Sequence, residues 1–115
     1  MSHEWHDNEL LTNPQEFAIA TTEKTSYSWD LDALLDIGET PGTPSVRIDE
    51  MTSKANGVTL TTPNLVTNVF ASDTVVVATI DGTLLKQNEL YRVIVTVTAS
   101  PTKQVSCMTM MKCVA

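Results

Sequence analysis

The chain has 115 residues, room for one domain, and its 42% hydrophobic content is enough to bury a core without metal or disulfide staples. A formal charge of −7 without clustered bases excludes nucleic acid as the main partner, because binding phosphates needs a basic patch. No run of about 18 apolar residues is present, which excludes a membrane-spanning helix.

Aromatic residues make up only 5% of the chain, so Val, Ile, Leu and Met must fill most of the core. The 18 threonines add to a β-branched excess that favours a pleated, half-buried surface. Charge is unevenly placed: residues 1–50 hold 11 acids and two bases, whereas residues 51–115 hold three acids and five bases. That asymmetry suits a basic protein partner or head-to-tail self-association, and equally a solvated acidic surface.

Residues 1–24 are polar and acidic, and Asn13-Pro14 interrupts them. Acids at Glu4, Asp7, Glu9 and Glu16 leave no continuous apolar stretch for a signal peptide, so synthesis and retention in the cytoplasm are expected. The apolar residues of this segment, Trp5, Leu10, Leu11, Phe17 and Ile19, follow no period. The reading is an extended arm over 1–24 that docks on a partner through these five residues and is disordered in the monomer. Deleting residues 2–22 should then leave the melting temperature nearly unchanged. The alternative is an additional edge strand packed on the chain's own domain.

From residue 25 to 115 the pattern is β. Tyr27, Trp29 and Leu31 alternate with Ser28, Asp30 and Asp32. Ala33, Leu34 and Leu35 precede Gly38 as a helical turn, and Pro41, Gly42 and Pro44 make a loop. Val46 and Ile48 alternate with Arg47 and Asp49. Asn56-Gly57 marks a turn before a short strand at Val58 and Leu60. Thr74–Ile80 is a continuous apolar run, predicted to be covered on both faces and to place Val75 and Val77 in the core. Asp81-Gly82 reads as a hairpin turn. Leu90–Ala99 is the clearest strand, with Tyr91, Val93, Val95 and Val97 on one face. Residues 104–114 return as the last strand. About seven short strands with regular turn signals predict an all-β antiparallel sandwich.

Chemistry-bearing residues are few. His3-Glu4-Trp5-His6-Asp7 lacks the spacing of a helical zinc motif, and Asp30, Asp32, Asp36 and Glu39 have calcium-like spacing interrupted by Leu34 and Leu35. The only histidines, His3 and His6, lie in the arm, so no positioned base, metal site, cofactor or enzymatic activity is expected. On one continuous strand Cys107 and Cys113 share a face roughly 20 Å apart, too far for an intrachain disulfide. They are either buried thiols or an interchain bridge. Met108, Met110 and Val114 fall on the opposite face and read as core filler.

Two segments carry a family resemblance. Tyr27-Ser28-Trp29-Asp30-Leu31 with Gly38-Glu39-Thr40, followed by Leu90-Tyr91-Arg92-Val93-Ile94-Val95-Thr96-Val97-Thr98-Ala99-Ser100, resembles small tailed-bacteriophage virion proteins of the fibre–tail adaptor and immunoglobulin-like kind. Leu84-Leu85-Lys86-Gln87-Asn88 stands where relatives carry a Gly-Gly turn, and Pro101 stands where Gly is expected. The resemblance implies an immunoglobulin-like sandwich and a non-enzymatic structural role in a virion. The chain would dock on the neck, tail or fibre assembly, in several copies and with other virion proteins as partners. A capsid-decorating protein is the alternative within that class. A module binding a small ligand or carbohydrate is the alternative outside it.

Overall fold

Inward-facing valines at every second position make the strand from Leu90 the spine of the molecule. The structure, a computed structural model, describes residues 10–11, 15–36, 38–39, 41–51, 57–100 and 103–115. Its strands are β1 (Leu10–Leu11), β2 (Gln15–Ala20), β3 (Lys24–Asp30), β4 (Pro44–Glu50), β5 (Val58–Thr59), β6 (Val66–Ser72), β7 (Val75–Asp81), β8 (Leu90–Ser100) and β9 (Lys103–Val114). Single 3-10 turns occupy Asp32–Leu34 and Gly82–Leu84.

The strands form a four-stranded sheet in the order β1-β3-β7-β6 and a five-stranded sheet in the order β2-β9-β8-β4-β5. Pairing is antiparallel apart from β1 with β3 and β2 with β9, which are parallel. Two sheets with this order, the second and penultimate long strands in opposite layers, make an immunoglobulin-like β-sandwich. Tyr91 occupies the tyrosine corner of such sandwiches: its hydroxyl accepts a 2.9 Å hydrogen bond from the Lys86 amide as the chain enters β8. Burial pushes the Tyr91 phenol above its ordinary range, keeping the hydroxyl neutral.

Between the sheets, Trp29, Leu31, Val76, Ala78, Ile80, Val93, Val95 and Val97 are fully buried. The Trp29 indole donates to Thr109 Oγ1 at 3.1 Å, which satisfies a buried donor and a buried hydroxyl together. Phe17, Tyr27 and Trp29 form one aromatic cluster, with the Phe17 and Tyr27 rings 4.7 Å apart.

Four expectations are corrected. Residues 15–20 are not a separate arm: β2 pairs along β9, and Phe17 and Ile19 are 8% and 0% exposed in the core. Leu10 and Leu11 pair with β3, whereas Trp5 lies outside the described residues. Alternation over Phe17-Ala18-Ile19 gives β2 its buried face, a signal too short to stand out in an acidic segment. In β7 the buried positions are Val76, Ala78 and Ile80; Val75 and Val77 point outward and are half-buried. Within Val75–Ile80 only Thr79 is polar, so the run marks its own phase weakly and its neighbours in the sandwich choose the face. Asp81-Gly82 is not a hairpin turn, because the chain there leaves one sheet for the other. Asp81 caps that turn by accepting from the Thr83 amide at 3.0 Å. A Cβ at Gly82 would run into the Ala20 carbonyl, so only glycine lets the turn pack under the β2–β3 connection. Finally, Met108 and Val114 are not core filler but 38% exposed on the outer face.

Candidate functional site

Because β8 and β9 alternate, every second residue that does not face the core lies on the outer face of the five-stranded sheet. Register builds that face row by row. One row runs Glu16, Met110, Arg92, Asp49, Thr59 across β2, β9, β8, β4 and β5. The next runs Met108, Ile94, Arg47 across β9, β8 and β4. Met108, Ile94 and Met110 therefore form a contiguous apolar centre, with the exposed Glu16 on one side and Arg47, 52% exposed along its side chain, on the other.

Asp49 belongs to this outer face yet is only 1% exposed. Arg92 donates to its Oδ2 from Nε at 3.1 Å and Nη2 at 2.6 Å. Thr59 donates to Oδ1 at 2.8 Å, and Arg47 Nε lies 3.2 Å from the same oxygen. Gly57, at φ +75, lets the following segment close over the carboxylate: a Cβ there would sit 3.0 Å from Asp49 Cβ and 2.6 Å from the Met51 sulfur. Burial by itself would raise the Asp49 carboxyl. The hydrogen bonds from Arg92 and Thr59 and the charge of Arg47 outweigh it and hold the carboxyl below its ordinary value. This ionised clasp ties β4, β5 and β8 together. Its oxygens are fully engaged, which makes it structural rather than a ligand site.

Four of the eleven acids in residues 1–50 are paired with bases inside the chain. Lys103 pairs with Asp36 at 3.1 Å and Glu39 at 2.7 Å, Arg92 with Asp49, and Lys86 with Glu50 at 3.5 Å. The hydrogen bond that Lys103 donates to Glu39 draws the Glu39 carboxyl down and the Lys103 ammonium up. Asp36 and Glu39, which read as calcium-like, thus hold a lysine. Asp30 Oδ1 accepts from the Asp32 amide at 2.9 Å, a local turn contact. Among the described residues, no three His, Cys, Asp or Glu side chains gather at metal-binding spacing; His3 and His6 lie outside those residues.

Cys107 and Cys113 share the inner face of β9, each 0% exposed and unbridged. An interchain disulfide through either is corrected to two buried thiols, because a partner sulfur cannot reach them through the sheet. Burial pushes the Cys107 thiol up to about 11 and the Cys113 thiol in the same direction, so both stay protonated and weakly nucleophilic at neutral pH.

The outer face of the four-stranded sheet is different. Ser26, Ser28, Thr67, Ser72 and Thr79 surround Val75 and Val77, with Ser26 and Thr79 hydroxyls hydrogen-bonded at 2.8 Å. Phe70, 51% exposed and registered against Val77, stands at the edge beside a bulge where Asn68 takes φ +54. Sequence reasoning missed both Asp49 and Phe70. Asp49 looked like the polar half of an alternating strand, and Phe70 lay in a stretch with weak strand signal.

No protein-family model and no curated protein matches the chain. Among solved structures, the titin M3 domain is similar over 96% of this chain and 96% of its own length, with 14% sequence identity and a TM-score of 0.46.

Proposed function

We propose that the chain is a non-enzymatic structural component of a tailed-phage virion, docking on the neck, tail or fibre assembly through protein contacts. The virion assignment rests on the resemblance of the Tyr27–Leu31 and Leu90–Ser100 segments. The observation that carries the docking reading is that the outer sheet faces present apolar side chains, Met108 and Ile94 on one and Phe70 on the other, while several of the charged groups are engaged within the chain. Apolar groups on an exposed face contribute to binding when another protein covers them.

A carbohydrate-binding role needs exposed aromatic rings to stack against sugars. Tyr27, Trp29 and Tyr91 are all at or below 5% exposed, and Phe70 stands alone on its face among the described residues. Immunogold labelling of particles purified from a lysate that produces the chain tests the proposal. Gold at the neck, tail or fibres is the expected result. Label confined to the capsid shell would convert it to a decorating protein, and absence from particles, with all of the chain in the soluble fraction, would overturn it.

A further inference from the structure

The backbone of β6 has a side that no described strand covers. The Leu31 amide donates to the Thr74 carbonyl, which fixes the phase of β7: the backbone groups of Val76 face β3, and those of Val75 and Val77 face β6. Their register partners, Ser72 and Phe70, therefore turn their own groups to β7. Ala71 between them, and Val69 two residues earlier, point N–H and C=O the other way. Among the described residues nothing pairs there, because β6 ends the sheet order. The Asp81 amide, bonded to the Leu65 carbonyl, sets Val66 in the same outward phase, but the bulge at Asn68 separates it from the run beyond. Soluble proteins guard such edges with charge, proline, bulges or short strands. β1 and β5 have two residues each and β2 carries Glu16. β6 has seven residues with no charge and no proline, and its bulge guards only the first half.

We propose that an extended segment of a partner protein, with a lysine or arginine at one end, adds to residues 69–72 as a further strand of this sheet. The proposal rests on the reading that the chain works through protein contacts, and it names the chemistry of one of them. Unpaired backbone groups select an extended backbone. Charge selects its ends. Residues 55–85 contain no Lys, Arg or His, and their two acids are Asp73 and Asp81. Asp73 is exposed where β6 turns into β7 and takes no part in the ion pairs of the described residues. Asp30 shares the outer-face row of Val75 and Ser72 and adds a second carboxylate at the same end of the sheet, about 10 Å from β6. A base on the added strand beside Ser72 therefore meets Asp73 first, with Asp30 behind it. A second copy of β6 has no base to offer, so self-pairing leaves these acids unmatched. Phe70, 51% exposed on the same strand, gives the added strand an apolar neighbour to cover.

Amide hydrogen exchange followed by NMR on the full chain tests the site. The probe is a synthetic heptapeptide of alternating threonine and valine with a lysine at each end. In excess, it should slow exchange at the Val69 and Ala71 amides about tenfold. The Phe70 and Ser72 amides, already turned to β7, should change little. The same peptide with glutamate at each end should bind about fivefold more weakly. Asp73→Asn removes the charge and keeps a residue that tolerates φ +56, and it should roughly halve that preference. Unchanged exchange at Val69 and Ala71 would overturn the proposal. Equal binding of the two peptides would do the same, as would a preference that Asp73→Asn leaves intact. Slowing of these amides as protein concentration rises, with no peptide present, would give the edge to a second copy and overturn the basic segment as its occupant. The virion role is read separately. A chain that labels particles while the peptide leaves these amides unchanged loses the strand site and keeps that role, and slowed amides in a chain absent from particles do the reverse.

Discussion

The two outer faces of the sandwich start from the same strand geometry and end with different chemistry. Hydroxyl side chains cover most of the four-stranded sheet's face, with Phe70 at its rim. The five-stranded sheet's face has an apolar centre and a carboxylate sealed beneath two arginines. An outward-pointing residue is therefore not always an exposed one. Asp49 points away from the core and is as buried as Tyr91 inside it, because β5, Gly57 and the guanidinium of Arg92 close over it. One face is held by its own ion pair, whereas the other is only decorated.

The largest expected effect belongs to neither outer face and sets the scale for both. Ile19→Ala should destabilise the chain by about 2–5 kcal/mol, because Ile19 is fully buried and the cavity cannot close fully. Deleting residues 2–22 should likewise lower the melting temperature sharply by removing β2, opposite to what a free arm would do. Denaturant unfolding of both variants checks this. An Ile19→Ala variant as stable as the wild type would show that β2 does not hold to β9 in solution.

The comparison itself breaks or survives at Asp49. Asp49→Ala should cost about 2–4 kcal/mol at neutral pH. That is below the full penalty for halving a buried ion pair, because the Arg92 side chain, 23% exposed, regains some water. Ser28→Ala, on the other outer face, should change stability by less than about 0.5 kcal/mol. The Asp49 contribution also carries a pH signature. Its carboxyl is lower in the folded chain than in the unfolded one, so its stabilisation is fully present above the unfolded value of about 3.9. It is lost as pH falls through the folded value. The stability gap between wild type and Asp49→Ala should be constant from pH 7 to about 5 and shrink below about pH 4. A gap independent of pH down to 2 would mean that the carboxylate charge contributes nothing.

The smallest effect sharpens the contrast on the hydroxyl-rich face. Phe70→Ser should shift stability by no more than about 0.5 kcal/mol, since half of the ring is already in water and the edge strand bulges beside it. Thermal unfolding that drops by as much as for Ile19→Ala would show that Phe70 anchors β6 rather than ornamenting it.

Much of the architecture is legible along the chain because alternation is a local property. Tyr27, Trp29 and Leu31, and then Tyr91, Val93, Val95 and Val97, are spaced two apart, and all are buried as that spacing requires. The same spacing sets Cys107 and Cys113 on one face without a bridge. The docking surface was less legible. Met108 and Met110 were correctly placed opposite the cysteines, but hydrophobicity alone could not show which side of β9 another sheet would cover.

The sequence by itself determined the β class, most strand positions and the buried phase of β3 and β8, because polar residues at nearly every second position leave one way to hide the apolar ones. Only the tertiary structure decided the rest. It chose Val76 over Val75 and Val77 in a run whose polar phase is marked by Thr79 alone, and it drew Phe17 and Ile19 out of an acidic segment into the core beside β9. It also buried Asp49 on an outer face. Each of these depends on partners far away in sequence — Met111 and Cys113 for β2, Arg92 and Thr59 for Asp49 — and no local pattern encodes which distant strand will arrive.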